Sequence, residues 1–375
     1  MENENVDVEK KKEKKRKERI KDVKWLVSIL LFFASIFLFT ASLIILLKFN
    51  DSNLKTVIEI DKDVSYSMIE TTISKTYDKV SKGSVAVYSQ NSTSVSIGSG
   101  VIYKKEGNTF YVVTNYHVVN GFSDNNIYYM GEYEKANLLG YDYQNDIAIL
   151  TFSFSTNNKK LNDMVEVIDF FNYATYKVPT IGEVALAVGS PLGVENYNTL
   201  TVGTISNRNT LEIVTDASIN NGNSGGGLFN INGELLGIVY KKQTTSASGS
   251  LVEGRGYALN IQVVMATIKN IEKNNVPVQS AYLHLDIIEI NRVIESNSTY
   301  MKNFPNDNKN THIFVTENPI LVNNCKQYDC ILKLDDKEVN TLDDINYIIR
   351  TTPAGTKLNL TLYRDGEVIN TTVTL

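Results

Sequence analysis

Residues 220–230 read Asn-Asn-Gly-Asn-Ser-Gly-Gly-Gly-Leu-Phe-Asn, a single serine, Ser224, among four glycines, with strand-like apolar runs on both sides. Glycine loses more backbone entropy on folding than any other residue, so an ordered loop that collects several of them needs left-handed or very tight conformations. Two readings are open. The cluster is a surface turn, as Gly/Asn clusters usually are, or it is a backbone bent so that amide N–H groups converge beside a nucleophile. The rest of the chain decides between them.

The chain has 375 residues, 42% of them hydrophobic, and a formal net charge of −5. That composition suits a globular protein with room for two soluble domains and points away from a nucleic-acid binder. The one basic concentration lies before residue 25, where Lys and Arg mix with acidic residues and no apolar periodicity appears. Residues 1–24 are therefore expected to be disordered and solvated. Residues 25–47 are uncharged over 23 positions, which as a helix spans about 35 Å against a hydrocarbon core of about 30 Å. A cleavable signal peptide is the competing reading, with small residues at Ala41 and Ser42, but its apolar region normally runs about 7–15 residues. An uncleaved single-pass anchor is expected. Lysine and arginine crowd its N-terminal flank and only Lys48 and Lys55 lie close to the other end, so the N-terminus is expected in the cytoplasm and everything after residue 48 outside.

Residues 48–83 read as a linker and an N-terminal helix. From Ser84 onward come short runs rich in Val, Ile, Tyr and Thr, punctuated by Gly, Asn and Asp: "SVAVYS", "GSGVIYK", "TFYVVTN", "NIYYMG", "DIAILTF", "EVALAVG", "LTVGTIS", "LEIVTD", "ELLGIVY" and "GYALN". Regularly spaced short strands imply antiparallel β-structure closed into sandwiches or barrels, and residues 84–275 are long enough for two small barrels. "VVMATIKNIEKNN" at 263–275 has helical apolar spacing and ends before Pro277, which sets a domain boundary near residue 276. Residues 277–375 form a separate α+β module, with a helix at "LDDINYIIRT" opened by Thr341, Asp343 and Asp344, and a hairpin about Asp365-Gly366. Residues 241–256 read as a mobile loop. Cys325 and Cys330, in "NNCKQYDC", are close enough for a short disulfide in an oxidising exterior, with two free thiols as the other reading. No histidine or further cysteine nearby completes a metal site.

A serine hydroxyl needs a base within hydrogen-bond reach, and histidine is the usual one. The chain has three histidines. His284 and His312 belong to the C-terminal module, which leaves His117, in "FYVVTNYHVVN", for the β-rich region. The base needs a carboxylate to fix its tautomer. "GYDYQNDIAIL" supplies Asp146, the last polar residue before a buried run, with Asp142 as a less well placed second candidate.

"TNYHVV", "NDIAIL" and "GNSGGGL" resemble the catalytic signatures of the trypsin-like serine proteases, specifically the membrane-anchored HtrA/DegP-like branch. "GSGVIY", "VGSPLG", "TVGTIS", "VTDASINNGNSGG" and "GYALN" add to the match, which covers nearly all of residues 85–275. The resemblance implies a mainly β fold of two six-stranded-type antiparallel barrels, with His117 and Asp146 from the first and Ser224 from the second. It implies an oxyanion hole at Gly222, Asn223 and Ser224, a primary specificity pocket with its base near Ser218, and Tyr240 on the strand that pairs with the substrate backbone. With no acidic residue at 218, small or medium apolar side chains are expected there. The departures are Tyr116, where the family usually has a smaller residue, and Gly227, where many members have proline. Neither removes a catalytic group. No cofactor and no metal is implied, the partners are unfolded or exported polypeptides and the membrane, and trimers are usual in the family.

The C-terminal module looks like the larger part of a PDZ domain, which binds chain ends through a glycine-containing carboxylate loop. His284 stands near the usual glycine, in "AYLHLDIIEI", so weak or absent affinity for free C-termini is expected. The leading expectation is an extracytoplasmic serine endopeptidase that degrades misfolded or exported proteins. A processing protease with one dedicated substrate would read the same, and the alternative from a different class is an inactive, membrane-tethered adaptor with a protease fold.

Overall fold

The computed structural model describes residues 16–17, 19–25, 27–28, 30–42 and 62–375, apart from 171–177, 244–253, 275–276, 279–280, 297–298, 319–321 and 323. Much of the segment at 1–24, the end of the apolar run, the linker at 48–61 and the centre of the loop at 241–256 thus lie outside the described residues, while residues 19–24, expected to be disordered, are helical. The chain divides into two units, residues 1–71 and 72–375. The first carries a helix, α1 (Arg19–Ser42), whose most apolar window has a mean hydropathy of 2.2 and is 0% buried, so it is long and apolar enough to cross a membrane. A second helix, α2 (Lys62–Val80), is fastened near its end in the second unit, where Thr76 Oγ1 donates to Ile231 O at 2.6 Å and Tyr77 OH to Asn198 O at 2.8 Å.

The described residues then form two closed antiparallel barrels of six strands. The first consists of β1 (Ser84–Gln90), β2 (Val95–Glu106), β3 (Thr109–Thr114), β4 (Asp124–Tyr129), β5 (Glu132–Asp142) and β6 (Ile147–Phe152), with one helical turn, α3 (Tyr116–Val119), after β3. The second consists of β7 (Val184–Gly189), β8 (Thr199–Arg208), β9 (Glu212–Thr215), β10 (Gly227–Phe229), β11 (Leu235–Lys242) and β12 (Gly256–Asn260), followed by α4 (Ile261–Asn274). Strand side chains alternate between faces, and in β1, β3, β6 and β7 both faces are largely buried. Val85, Val87, Ile102, Val112 and Leu150 fill the first barrel, while their neighbours Val101, Val113, Ile147 and Ile149 join Leu186, Val188, Phe229, Ile238 and the apolar face of α4 in a seam between the barrels. That is why such strands read as unbroken apolar runs. Each such Ile or Leu contributes about 1.5–3 kcal/mol by leaving water, so the seam fixes one barrel firmly against the other.

The C-terminal module is a sheet in the order β13 (Asp286–Asn291), β14 (Thr311–Glu317), β15 (Cys330–Leu334), β17 (Lys357–Arg364), β18 (Glu367–Thr374), with β16 (Lys337–Glu338) paired to β15 and one helix, α5 (Leu342–Thr351). The helix starts as expected, in a capping box in which Thr341 Oγ1 accepts from Asp344 N at 3.2 Å and Asp344 Oδ2 from Thr341 N at 3.0 Å. The hairpin also stands as read, with Asp365 and Gly366 at φ 48° and 89°, the pair of positive values a two-residue turn between twisted strands requires. The disulfide reading is corrected. Cys325 and Cys330 are free, buried thiols in separate apolar clusters, and burial pushes the Cys325 thiol up to about 12 and that of Cys330 up as well.

His312 lies in β14 with 1% of its surface exposed. Its Nε2 is 3.1 Å from Asp307 Oδ2, and its Nδ1 has no partner among the described residues. Burial lowers its pKa, as do Lys309 and Arg292, against the opposing pull of Asp307, and the downward shift wins. A histidine whose folded pKa is depressed stabilises the fold above its unfolded value of about 6.5, and that contribution is lost as pH falls through the folded value. The thermal midpoint of the C-terminal module should therefore drop between pH 7 and pH 5, and His312→Gln should flatten the drop. Calorimetry showing the same slope in parent and variant would remove this role from His312.

Candidate active site

β3 ends at Thr114, and Asn115 and Tyr116 turn the chain into α3, which lifts His117 to the surface with its side chain 50% exposed. β5 and β6 are joined by a turn that ends at Asp146, held at φ 51°. Its carbonyl accepts from Asn115 Nδ2 at 2.8 Å and from Tyr116 N at 3.1 Å. Its carboxylate meets His117 at two points, Oδ1 accepting from the backbone N–H at 2.9 Å and Oδ2 lying 2.7 Å from Nδ1. Such a contact places the ring hydrogen on Nδ1 and leaves Nε2 as an acceptor. Asp142 has no share in it. That side chain is 5% exposed, accepts from Asn145 N at 3.0 Å and Asn145 Nδ2 at 3.1 Å, and has its pKa raised by burial.

The Ser224 turn comes from the second barrel and is fastened to the first. Ser99 N donates to Ser224 O at 2.7 Å, Ser99 Oγ donates to Gly222 O at 2.6 Å and accepts from Ser190 N at 2.8 Å, and Thr114 Oγ1 donates to Ser99 O at 2.7 Å. A Cβ on Gly98 would stand 2.6 Å from Val118 Cγ2 and 3.0 Å from Ser224 O, so α3 and the serine turn converge at one spot. The glycines have the cause sought in the sequence. Gly222 and Gly225 sit at φ 100° and 86°, and a Cβ on them would meet Ser190 O at 2.3 Å and Ser99 O at 2.1 Å. Among the described residues the N–H groups of Gly222 and Ser224 donate to nothing, whereas Asn223 N donates to Asn220 O at 3.0 Å and is already engaged.

Ser218 is exposed, and its carbonyl accepts from Thr201 Oγ1 at 3.0 Å and Asn223 Nδ2 at 3.4 Å, which sets it beside the serine turn. Tyr240 is the extra residue of a bulge in β11 between Val239 and Lys241. Its hydroxyl donates to Glu212, and its ring packs on the seam that also takes in Tyr347 of α5. What Tyr240 can offer a substrate is therefore its backbone. Ser99, which joins the two barrels at the site, was missed in the sequence; its signal was the "GSGVIY" run, read as a match without a role.

Residues 98–238 match the trypsin-like peptidase domain family and residues 306–375 the PDZ domain family. The serine protease Do-like HtrA of Lactococcus lactis subsp. lactis (strain IL1403) is 33% identical over 290 residues, 72% of this chain and 68% of that one. The chain belongs to the HtrA-type serine proteases. The Do-like HtrB of Bacillus subtilis (strain 168) is 32% identical over 297 residues, 74% of this chain and 62% of its own. Among solved structures, the HtrA-type protease AlgW with a tripeptide is 25% identical, with a TM-score of 0.61 over 80% of this chain and 96% of that one. As an HtrA-type protease the chain is a serine endopeptidase acting on polypeptides, with a PDZ domain after the peptidase domain.

The two departures from the HtrA pattern have local causes. Tyr116 stacks on Tyr141 with ring centroids 4.1 Å apart and donates to Asn120 Oδ1 at 2.9 Å, so the larger side chain is housed by a second aromatic. A Cβ on Gly227 would stand 2.3 Å from Phe229 Cε2, so the glycine leaves room for the Phe229 ring. In the PDZ domain, β13 pairs only with β14 among the described residues, and a cavity of about 430 Å³ lies along it, lined by Leu283, His284, Ile287, Ile345 and Ile349, with Gln144 of the peptidase domain in its wall. His284 takes a φ of 59°. Histidine enters that region more readily than most residues, so the replacement of glycine does not by itself prevent the left-handed step in the loop.

Proposed function

We propose that His117, Asp146 and Ser224 are the catalytic triad of this protease, anchored by α1 with its peptidase and PDZ domains outside the cytoplasm. The observation that carries the reading is the two-point contact of Asp146 with His117 at 2.9 and 2.7 Å, on a barrel to which the Ser224 turn is directly bonded. In the proposed reaction His117 Nε2 takes the Ser224 Oγ proton as that oxygen attacks the scissile carbonyl, and returns it to the leaving amine. Asp146 holds the imidazolium, and the N–H groups of Gly222 and Ser224 receive the oxyanion, each such donor being worth about 10²–10³ in turnover. Next to Ser218, with no carboxylate at that position, the pocket takes small or medium apolar side chains. The substrates are misfolded or exported polypeptides, and the assembly is the family's trimer, which sedimentation of the detergent-solubilised chain would test.

A fluorophosphonate should label the chain once, and peptide mapping should place the adduct on Ser224. Absence of label, or label on another serine, would favour the inactive adaptor instead. The topology rests on the Lys- and Arg-rich flank before residue 25. Protease added to intact cells should digest the chain beyond about residue 50 and spare the N-terminus; release of a soluble form starting near residue 43 would mean that the apolar segment is a cleaved signal.

A further inference from the structure

The turn that carries Asp146 reaches the PDZ domain at its other side. Asn145 is 4% exposed, and its Nδ2 lies 3.1 Å from Asp142 Oδ2, 2.9 Å from Thr267 Oγ1 on α4 and 2.9 Å from Arg350 O in the last turn of α5. An amide nitrogen has two hydrogens, so at this range they are shared among three acceptors, one hydrogen being bifurcated between two of them. Its backbone N–H is also used, donating to Asp142 Oδ1 at 3.0 Å. The next residue is Asp146 at φ 51°, a left-handed step that a non-glycine residue keeps only where its surroundings over-determine it. The bonds to Asn115 Nδ2 and Tyr116 N hold that step from the His117 side. Asn145 holds it from the opposite side, where peptidase and PDZ helices meet, and Gln144, two residues before Asp146, stands in the wall of the PDZ cavity.

We infer that Asn145 is a positioning residue for Asp146: by tying the turn to α4 and to the Arg350 carbonyl of α5, it aims the carboxylate at His117 and makes the PDZ helix part of the catalytic geometry. The inference rests on the reading of Asp146 as the carboxylate of the triad. The ionisable groups on the elements around the turn include Asp142 on β5, Tyr116 and His117 on α3, Tyr141 and Tyr143 beside it, Glu272 on α4 and Arg350 on α5; a neutral replacement of Asn145 adds no charge among them but removes a hydrogen bond that opposes the effect of burial on the Asp142 carboxyl.

The test uses the full chain in detergent, a chromogenic peptide substrate, and fluorophosphonate titration to count active sites. Asn145→Leu keeps the shape without the donor and should lower kcat per active site by about 10², with KM within about twofold. It should also move the acid limb of kcat/KM to lower pH, because a misaimed carboxylate stabilises the imidazolium less. Thr267→Val removes one acceptor, leaves Asn145 in place, and should shift the limb in the same direction by less. It decides the matter if Asn145→Leu does not fold. Added to Asp146→Asn, the Asn145→Leu change should cost nothing more. An unmoved acid limb in Thr267→Val and any folded Asn145→Leu, or losses that add to those of Asp146→Asn, would overturn the inference. Parent-like turnover in Asp146→Asn alone would instead take down the triad reading, and the inference with it.

Discussion

Ser224→Ala should give a chain that folds and melts like the parent but cleaves casein about 10⁶-fold more slowly. The serine turn is held by its backbone, through Ser99 N to Ser224 O at 2.7 Å, Gly225 N to Val239 O at 2.7 Å and Gly226 N to Asn223 O at 2.9 Å, and by glycines whose φ values no other residue takes easily. None of these bonds uses the Ser224 hydroxyl, so its loss removes the nucleophile and leaves the oxyanion donors and substrate binding in place. That remainder is what survives when a triad member is deleted, a rate still about 10³–10⁴ above water. Casein turnover and a thermal melt on the same preparation make the measurement. Cleavage within about tenfold of the parent would put the nucleophile elsewhere.

Asp146→Asn should lower kcat by about 10⁴ with little change in fold. The asparagine amide fits the same space, but it must present one oxygen and one NH2 where the carboxylate presents two acceptors, to the His117 N–H at 2.9 Å and to Nδ1 at 2.7 Å. Wherever the NH2 faces Nδ1, the ring hydrogen moves to Nε2, and the base can no longer take the serine proton. Asp142→Asn is the comparison, since Asp142 faces Asn145 and not His117: it disturbs the support of the turn only, and its loss of kcat should be no more than the about 10² expected of Asn145→Leu, well short of the loss at 146. Steady-state kinetics of both variants settle it: a larger loss at 142 than at 146 would reverse the assignment of the carboxylate.

Much of this arrangement was legible because the signals were local. The Asp365-Gly366 hairpin, the Thr341 cap and the glycines about Ser224 each follow from one residue's preferred backbone, and ten of the barrel strands announced themselves as runs rich in Val, Ile, Tyr and Thr, most of them because both of their faces are buried. The two barrel strands that went unread, β5 and β10, were hidden for different reasons. β5 carries Glu132, Tyr133, Lys135, Asn137 and Leu138 toward solvent and turns Glu134 and Ala136 inward, so it reads as neither an apolar run nor a clean alternation. β10 is three residues long and begins inside the glycine cluster. The PDZ strands β13 and β14 were hidden for a related reason, the polar insertion between them. At the site, His117, Asp146 and Ser224 could be named from residue chemistry and motif resemblance, whereas the parts played by Ser99 and Asn145 could not. Each acts through bonds to residues more than a hundred positions away, Ser99 to Gly222 and Asn145 to Thr267 and Arg350, and no local pattern encodes such pairings.

The division of the site between two barrels sets an order in time. A chain made from its N-terminus completes the first barrel, and with it the His117–Asp146 pair, once β6 has paired with β3 and β5. The turn at Ser224 gains its outer support only when β11 delivers Val239, and the second barrel closes only when β12 pairs with β9 and β11. On the triad reading, the nascent chain is therefore inert through synthesis until residue 260 is in place, and it becomes a protease in the same step that completes its peptidase fold.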